Sequence, residues 1–246
     1  MTTTTVTDTD ITTIITAMTT ITTTELYRLL AWFSPSYPIG AFSYSHGIEF
    51  AVESGRVTNV ATLVQWVGHI LRHGAGWVDA VLLKEAHAAA DDPARLDELA
   101  DLAAAWRGSA EMALESCQQG GSYLSVTRTA WGESKILDAF AAVRTDKPVP
   151  LCIAIGVAAA AHDLKVETVL AAYLHAFAAN LVSAAVRLIP LGQTDGQRAL
   201  VALMPVVDSV VPCAIACALE DCGTASPMVD LMSMMHETQY TRLFRS

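Results

Sequence analysis

Past residue 24, apolar positions recur at helical spacing along almost the whole chain. No stretch alternates apolar and polar residues between hairpin turns as paired strands do. The pattern predicts a first helix from about Glu25 to Phe33, ended by Ser34-Pro35-Ser36-Tyr37-Pro38-Ile39-Gly40. Two prolines and a glycine make that a stiff, shaped loop. A second helix reads from Ser43, as N-cap, to Ser54 before Gly55, and a third from Asn59 to His73 before Gly74. Trp77 to Ala90 follows, and then Pro93, at a first helical turn, opens an Ala/Leu-rich helix reaching Cys117. Gly120-Gly121 punctuates before Tyr123 to Val143, and Pro148-Val149-Pro150 introduces a short apolar helix to Ala161. The strongest pattern is Val166 to Leu188, with Val169, Tyr173, Phe177, Leu181 and Leu188 along one stripe. The connection Pro190 to Gln197, with Gln193 and Gln197 as polar loop residues satisfying helix ends, leads to the last helices. Ala199 to Leu219, holding Pro205, Asp208 and Pro212, is two buried helices or one kinked one. The prediction is all-α: a single globular domain of roughly ten helices, too many and too unequal for a four-helix bundle.

The first 24 residues differ. Fourteen of them are threonine, and no basic residue precedes Arg28. A secretory signal needs a positive start and a continuous apolar run, so the chain reads as cytoplasmic. Ile11, Ile14, Ile15, Met18 and Ile21 fall at helical spacing, but threonine is a poor helix former. Residues 1–24 read as a disordered low-complexity leader, 25–235 as the helical domain and 236–246 as a separate tail.

With 246 residues, the chain is long enough to bury a sizeable core. Its 52% hydrophobic and 16% charged residues predict buried helices and a buried subunit interface. A net charge of −10 argues against nucleic acid or an anionic membrane as partner. The uncharged run Thr168 to Val186 contains His175, Asn180 and Ser183, which suits a central bundle helix better than a membrane span.

Little catalytic chemistry is legible. The P-loop pattern is absent, as are a Gly-x-Gly-x-x-Gly fingerprint after a strand and a Gly-x-Ser-x-Gly elbow. His236-Glu237 opens like a zinc-protease helix, but Tyr240 stands where the second histidine belongs. His69 and His73 share a helix face at i and i+4, with His87 as a further candidate, but form no complete ligand set. Cys213, Cys217 and Cys222 match no zinc spacing, and five cysteines without an export signal read as reduced thiols. A nickel-carrying protein using His69/His73 or the cysteine cluster is the alternative to a protein with no metal site of its own.

Two segments differ in kind. Pro38-Ile39-Gly40-Ala41-Phe42-Ser43-Tyr44-Ser45-His46-Gly47-Ile48-Glu49 packs glycines, aromatics and hydroxyls into a helix entry that ends in a carboxylate. The last eleven residues, His236 to Ser246, combine Tyr240, Phe244, Leu243, Arg242 and Arg245, the residue types that anchor interfaces. Such a tail either folds back on its own core or docks on a partner.

Three blocks carry a family resemblance. The first is Leu29-Leu30, Ser34-Pro35, Pro38 to Ser45 and Gly47-Ile48-Glu49, running on to Glu53-Ser54-Gly55. The second is Ser183 to Leu188 with Pro190 to Thr194 and Gly196-Gln197, and the third is the terminal block. Together they resemble the UreF family of urease accessory proteins, from about Glu25 to Ser246. The chain departs from that pattern at His46, where glutamine is usual. It departs again at Arg107-Gly108-Ser109-Ala110-Glu111-Met112-Ala113, which has one acid and one arginine fewer than the family's run.

The resemblance implies an all-helical, non-catalytic homodimeric chaperone. Such a protein binds UreD (also called UreH) and the GTPase UreG, so that the assembly inserts nickel into apo-urease. It modulates GTP hydrolysis or forms a nickel conduit, while GTP is held by UreG and no cofactor by the chain itself. It further implies a UreG-binding surface near the dimer axis at Pro38, Gly40, Phe42, Ser43, Tyr44, His46, Gly47 and Glu49. A UreD-binding tail is implied at Gln239, Tyr240, Arg242, Leu243, Phe244 and Arg245. A docking tail should make few contacts within its own chain, so losing Arg242 to Ser246 should leave the core intact.

Overall fold

The computed structural model describes residues 21–246. Among them the chain forms eleven α-helices and no β-strand. In order these are α1 (Thr23–Trp32), α2 (Ile48–Glu53), α3 (Val60–His73), α4 (Ala75–Ala88), α5 (Pro93–Ala105) and α6 (Ala110–Ala130). They continue with α7 (Lys135–Val143), α8 (Leu151–Ala161), α9 (Val166–Leu188), α10 (Gln193–Ala216) and α11 (Pro227–His236). The all-α expectation holds. Residues 1–20 of the expected leader lie outside the described residues. Its last residues belong to the fold: Thr22 Oγ1 accepts from Glu25 N at 3.2 Å, and the Glu25 carboxylate accepts from Thr22 N at 2.7 Å. This capping box starts α1 two residues before the predicted Glu25.

The centre is α8, whose residues Cys152 to Ala159 are all buried. A helix apolar on every side has no face to give to water, so neighbours must surround it. Helices α4 and α6 press on it from two directions, and α5, α7 and α9 complete the wrapping. Backbones approach closely at these contacts. A Cβ on Gly120 of α6 would lie 2.0 Å from the carbonyl oxygen of Val149. Gly120 and Gly121 therefore do not punctuate. They lie mid-helix, where a bare backbone lets the turn entering α8 come within contact distance.

Four further boundaries differ from the pattern. Tyr123 to Val143 is not one helix, since α6 ends at Ala130 and Ser134 caps α7 by accepting from Leu137 N. The Pro93 helix stops at Ala105 instead of reaching Cys117, because Trp106 leaves helical geometry (φ −88°, ψ 48°) and Ser109 caps α6 from Met112 N at 3.1 Å. The helix expected from Ser43 is shorter. Ala41–Ser43 is one 3-10 turn, and α2 begins at Ile48 with Gly47 as N-cap. His46 and Gly47 both have positive φ, 55° and 77°, and this left-handed pair reverses the chain between turn and helix. The supposed loop at Gln193 and Gln197 is the first part of α10. There the Asp195 carboxylate, rather than a glutamine amide, accepts from Gly192 N at 3.2 Å.

The run from Ala199 is one continuous helix through Pro205 and Pro212, and only its inner side is buried. Helices α9 and α10 are long and apolar enough to cross a membrane, with mean hydropathies of 1.7 and 2.1 over their best windows. Helix α9 is packed between α10, α4, α2 and α3 as a bundle helix.

Replacing Gly120 with alanine should destabilise the fold by about 2 kcal/mol or more, since backbone rather than a flexible side chain must move. Thermal unfolding checks this: Gly120→Ala should melt well below wild type, while Gly121→Ala, with open space at its Cβ, should not.

Candidate functional site: the loop before helix α2 and the C-terminal segment

The last residues fold back over the segment from Ser43 to Glu49. Arg245 N donates to Ser43 O at 2.8 Å, and Ser45 N donates to Ser246 O at 2.9 Å, so the two stretches pair through their backbones. The Ser45 hydroxyl donates to the same Ser246 oxygen. Ser246 Oγ donates to Glu115 Oε2 at 2.9 Å and accepts from His46 N at 3.3 Å. Phe244 is 4% exposed, and the Arg187 guanidinium covers its ring at 4.3 Å. Arg187 also donates to Phe42 O at 3.0 Å, while Arg245 lies over the Tyr44 ring at 5.6 Å.

Glu49 holds the segment. Its carboxylate, in the first turn of α2, accepts from Leu243 N at 2.6 Å, Phe244 N at 2.9 Å and His236 Nε2 at 3.0 Å. His236, at the end of α11 and fully buried, reaches Glu111 Oε2 of α6 through Nδ1 at 2.6 Å. His236 thus stands between the Glu49 and Glu111 carboxylates, one ring nitrogen on each. Arg242 completes the set on Glu111 Oε1 at 2.7 Å. Two carboxylates, His236 and Arg242 together tie α2, α6, α11 and the terminal segment, with the backbone amides of Leu243 and Phe244 also on Glu49.

A second buried cluster lies behind it. Asp79 accepts from Arg107 Nη2 and Tyr173 Oη, each at 2.7 Å, and the Arg107 side chain is 5% exposed. Desolvation raises the Tyr173 phenol well above its ordinary value, and the Asp79 charge adds to it. Between the clusters is a small cavity lined in part by His46, Asp79, Arg107 and Glu115 and in part by Met112, Leu151 and Phe177. His46 Nδ1 meets Glu115 Oε2 at 3.3 Å. The run from Arg107 to Ala113, which is the link into α6 and its first turn, therefore still carries ion pairs, Arg107 with Asp79 and Glu111 with Arg242.

The two groups of candidate residues, far apart in sequence, form one site. Tyr44, His46, Gly47 and Glu49 are buried and shape it from beneath, while Pro38 and Phe42 are exposed and Gly40 and Ser43 half-buried. A Cβ on Gly47 would lie 2.9 Å from Ser233 N, so glycine lets α11 cross here as well as allowing the turn. In the terminal segment Tyr240, Arg242, Leu243 and Arg245 are exposed, Gln239 is half-buried beside Glu53, and Phe244 and Ser246 are buried. The expectation of few internal contacts is corrected: the segment is part of the packed structure, and the boundary at 236 falls on a helix residue buried between two carboxylates. Sequence reasoning also passed over Glu111, Glu115 and Arg187. Their only signal was that the apolar patterns of α6 and α9 leave them charged beside core positions.

Among the described residues no group of three or more His, Cys, Asp or Glu side chains is placed to hold a metal ion. His69 and His73 face each other with ring centroids 5.1 Å apart, but His69 Nε2 is bonded to Ala225 O and His87 Nε2 to Leu164 O. Cys213 is exposed and Cys217 and Cys222 half-buried. Burial, with Cys217 nearby, pushes the Cys222 thiol up to about 11.

The sequence profile of the UreF family matches residues 57–204. Over 223 residues the chain is 52% identical to the urease accessory protein UreF of Granulibacter bethesdensis, spanning 90% of this chain and 94% of that one. It is 47% identical over 223 residues to the protein of the same name from Rhodopseudomonas palustris, across 90% and 93% of the two chains. A Bradyrhizobium UreF is 47% identical over 232 residues, across 94% and 95%.

Glu49→Ala should cost about 3 kcal/mol, because it leaves the buried His236 ring nitrogen and two backbone amides without their acceptor. Hydrogen exchange would show it as lost protection at Leu243 and Phe244, and unchanged protection there would contradict this account of the segment. Removing Arg242 to Ser246 should likewise lower the unfolding midpoint. For Cys222, a raised thiol pKa means less thiolate, about one part in a thousand near pH 8. Iodoacetamide should therefore alkylate it far more slowly than exposed Cys213, as peptide mass mapping would show.

Proposed function

Because the chain belongs to the UreF family of urease accessory proteins, we propose that it is a non-catalytic adaptor in urease maturation. In this reading it joins UreD (UreH) to the GTPase UreG for GTP-dependent nickel insertion into apo-urease, in the cytoplasm and as a homodimer. Nickel and GTP are handled by the assembly and by UreG, and the chain holds no cofactor of its own.

One observation carries the reading: the terminal segment is fixed by hydrogen bonds to Glu49 and the Arg242–Glu111 ion pair while Tyr240 and Leu243 point outward. Tyr240 and Leu243 are wholly or largely exposed, and Met228, Leu231, Met234 and Met235 of the adjoining α11 are exposed too. Exposed apolar groups on a pre-ordered backbone suit partner docking, since little entropy is lost when they are covered. UreD takes this side. UreG takes the neighbouring edge at Pro38, Gly40 and Phe42, which the paired backbones and Arg187 join to the tail. Tuning of GTP hydrolysis would need an arginine or glutamine presented to the phosphates, and exposed Arg245 beside Tyr44 is the candidate on this face.

The test uses point variants, because truncation also disturbs the core. Tyr240→Ala with Leu243→Asp should abolish co-purification with UreD while leaving the melting temperature near wild type. Phe42→Asp should reduce UreG capture at least tenfold and leave UreD binding in place. If wild-type protein captures neither partner and its removal does not impair urease activation, the adaptor reading fails.

A further inference from the structure

Two polar atoms on the residues lining the cavity between the buried clusters have no hydrogen-bond partner among the described residues: His46 Nε2 and Ser116 Oγ. His46 is 4% exposed and Ser116 8%, so bulk water does not serve them. Native interiors seldom leave such groups unpaired, because the lost hydration is not regained. The His46 ring is held on two sides. Its Nδ1 meets Glu115 Oε2 at 3.3 Å, and the ring stands edge-on to Phe177, with centroids 5.3 Å apart and planes at 88°.

The size and charge of the cavity decide what fits. Its volume of about 30 Å³ exceeds the roughly 10–15 Å³ that one water needs. It falls far short of the roughly 300 Å³ at which ligand pockets begin. A cation would meet the Arg107 guanidinium, whose side chain is 5% exposed, and Asp79 already accepts from Arg107 and Tyr173. An anion would meet Asp79 and Glu115. A small neutral molecule remains. It must also suit groups that can play either part: Nε2 accepts in one tautomer and donates in the other, and a hydroxyl does both. Water donates and accepts equally well.

We propose that the cavity is a hydration site, in which one or two sequestered waters bridge His46 Nε2 to Ser116 Oγ and so join the turn before α2 to α6. Glu115 takes both His46 Nδ1 and Ser246 Oγ, so the bridge also underlies the terminal segment. Ser116 is then a positioning residue for a turn to which it makes no direct hydrogen bond.

A high-resolution crystal structure of the full chain tests it. The expected result is one water within hydrogen-bond distance of both His46 Nε2 and Ser116 Oγ, or two waters in series between them. A dry cavity would overturn the proposal. A strong anomalous peak at this position in crystals grown with nickel chloride would also overturn it, by reassigning the cavity to a metal ion. In solution, the bridge couples two side chains that are not bonded to each other. Ser116→Ala should raise the unfolding equilibrium constant about fivefold in the wild-type background and less than about twofold beside His46→Phe, read by urea denaturation. Equal effects in the two backgrounds would count against the bridge. The crystal uses the wild-type chain, so it decides the matter even where His46→Phe fails to fold.

Discussion

The arrangement at the end of the chain turns on one buried carboxylate. Glu49 is 6% exposed, and an ionised acid in that environment is tolerable only when its acceptor sites are filled and its charge is matched. The His236 ring and the amides of Leu243 and Phe244 fill those sites. Every other feature of the region follows from keeping that group satisfied. Helix α11 must bring His236 within reach, which requires the close crossing at Gly47. Glu111 faces the other side of the His236 ring, and Arg242 pairs with that second acid. Charge, backbone geometry and helix placement constrain one another here.

The same requirement divides the terminal residues into two populations. Phe244, Ser246 and the backbone of Leu243 face inward, where they complete the core. Tyr240, Arg242, Leu243 and Arg245 are exposed. A partner therefore meets a surface set by interior electrostatics rather than a chain that must be ordered at the moment of binding. Substitutions inside and outside the cluster should separate accordingly, one set acting on stability and the other on association.

Much of the helical frame was legible. Gly74, Pro93 and the stripe of α9 mark boundaries because capping and periodicity are local, and local physics is written in adjacent residues. Gly120-Gly121 misled for the opposite reason. Glycine as a stop signal and glycine as a packing contact look alike until the turn at Val149 is placed against it. Tyr44 and Glu49 stand out in the sequence, but their burial depends on residues about 200 positions away, beyond any window of pattern. Glu111 and His236 carried no signal as a pair, since an acid in a first turn and a histidine in a last turn are ordinary on their own.

That separation has a temporal side. During synthesis, the stretch from Ser43 to Glu49 leaves the ribosome long before Leu243 and Phe244 exist to meet Glu49. Until then its carboxylate has no partner and its groove no cover. Closing contacts between such distant positions comes late, because the intervening chain must already be compact. The surface over Ser43 to Glu49 is therefore complete only after the helices between the two stretches have packed, so its formation reports on the folding of the whole domain.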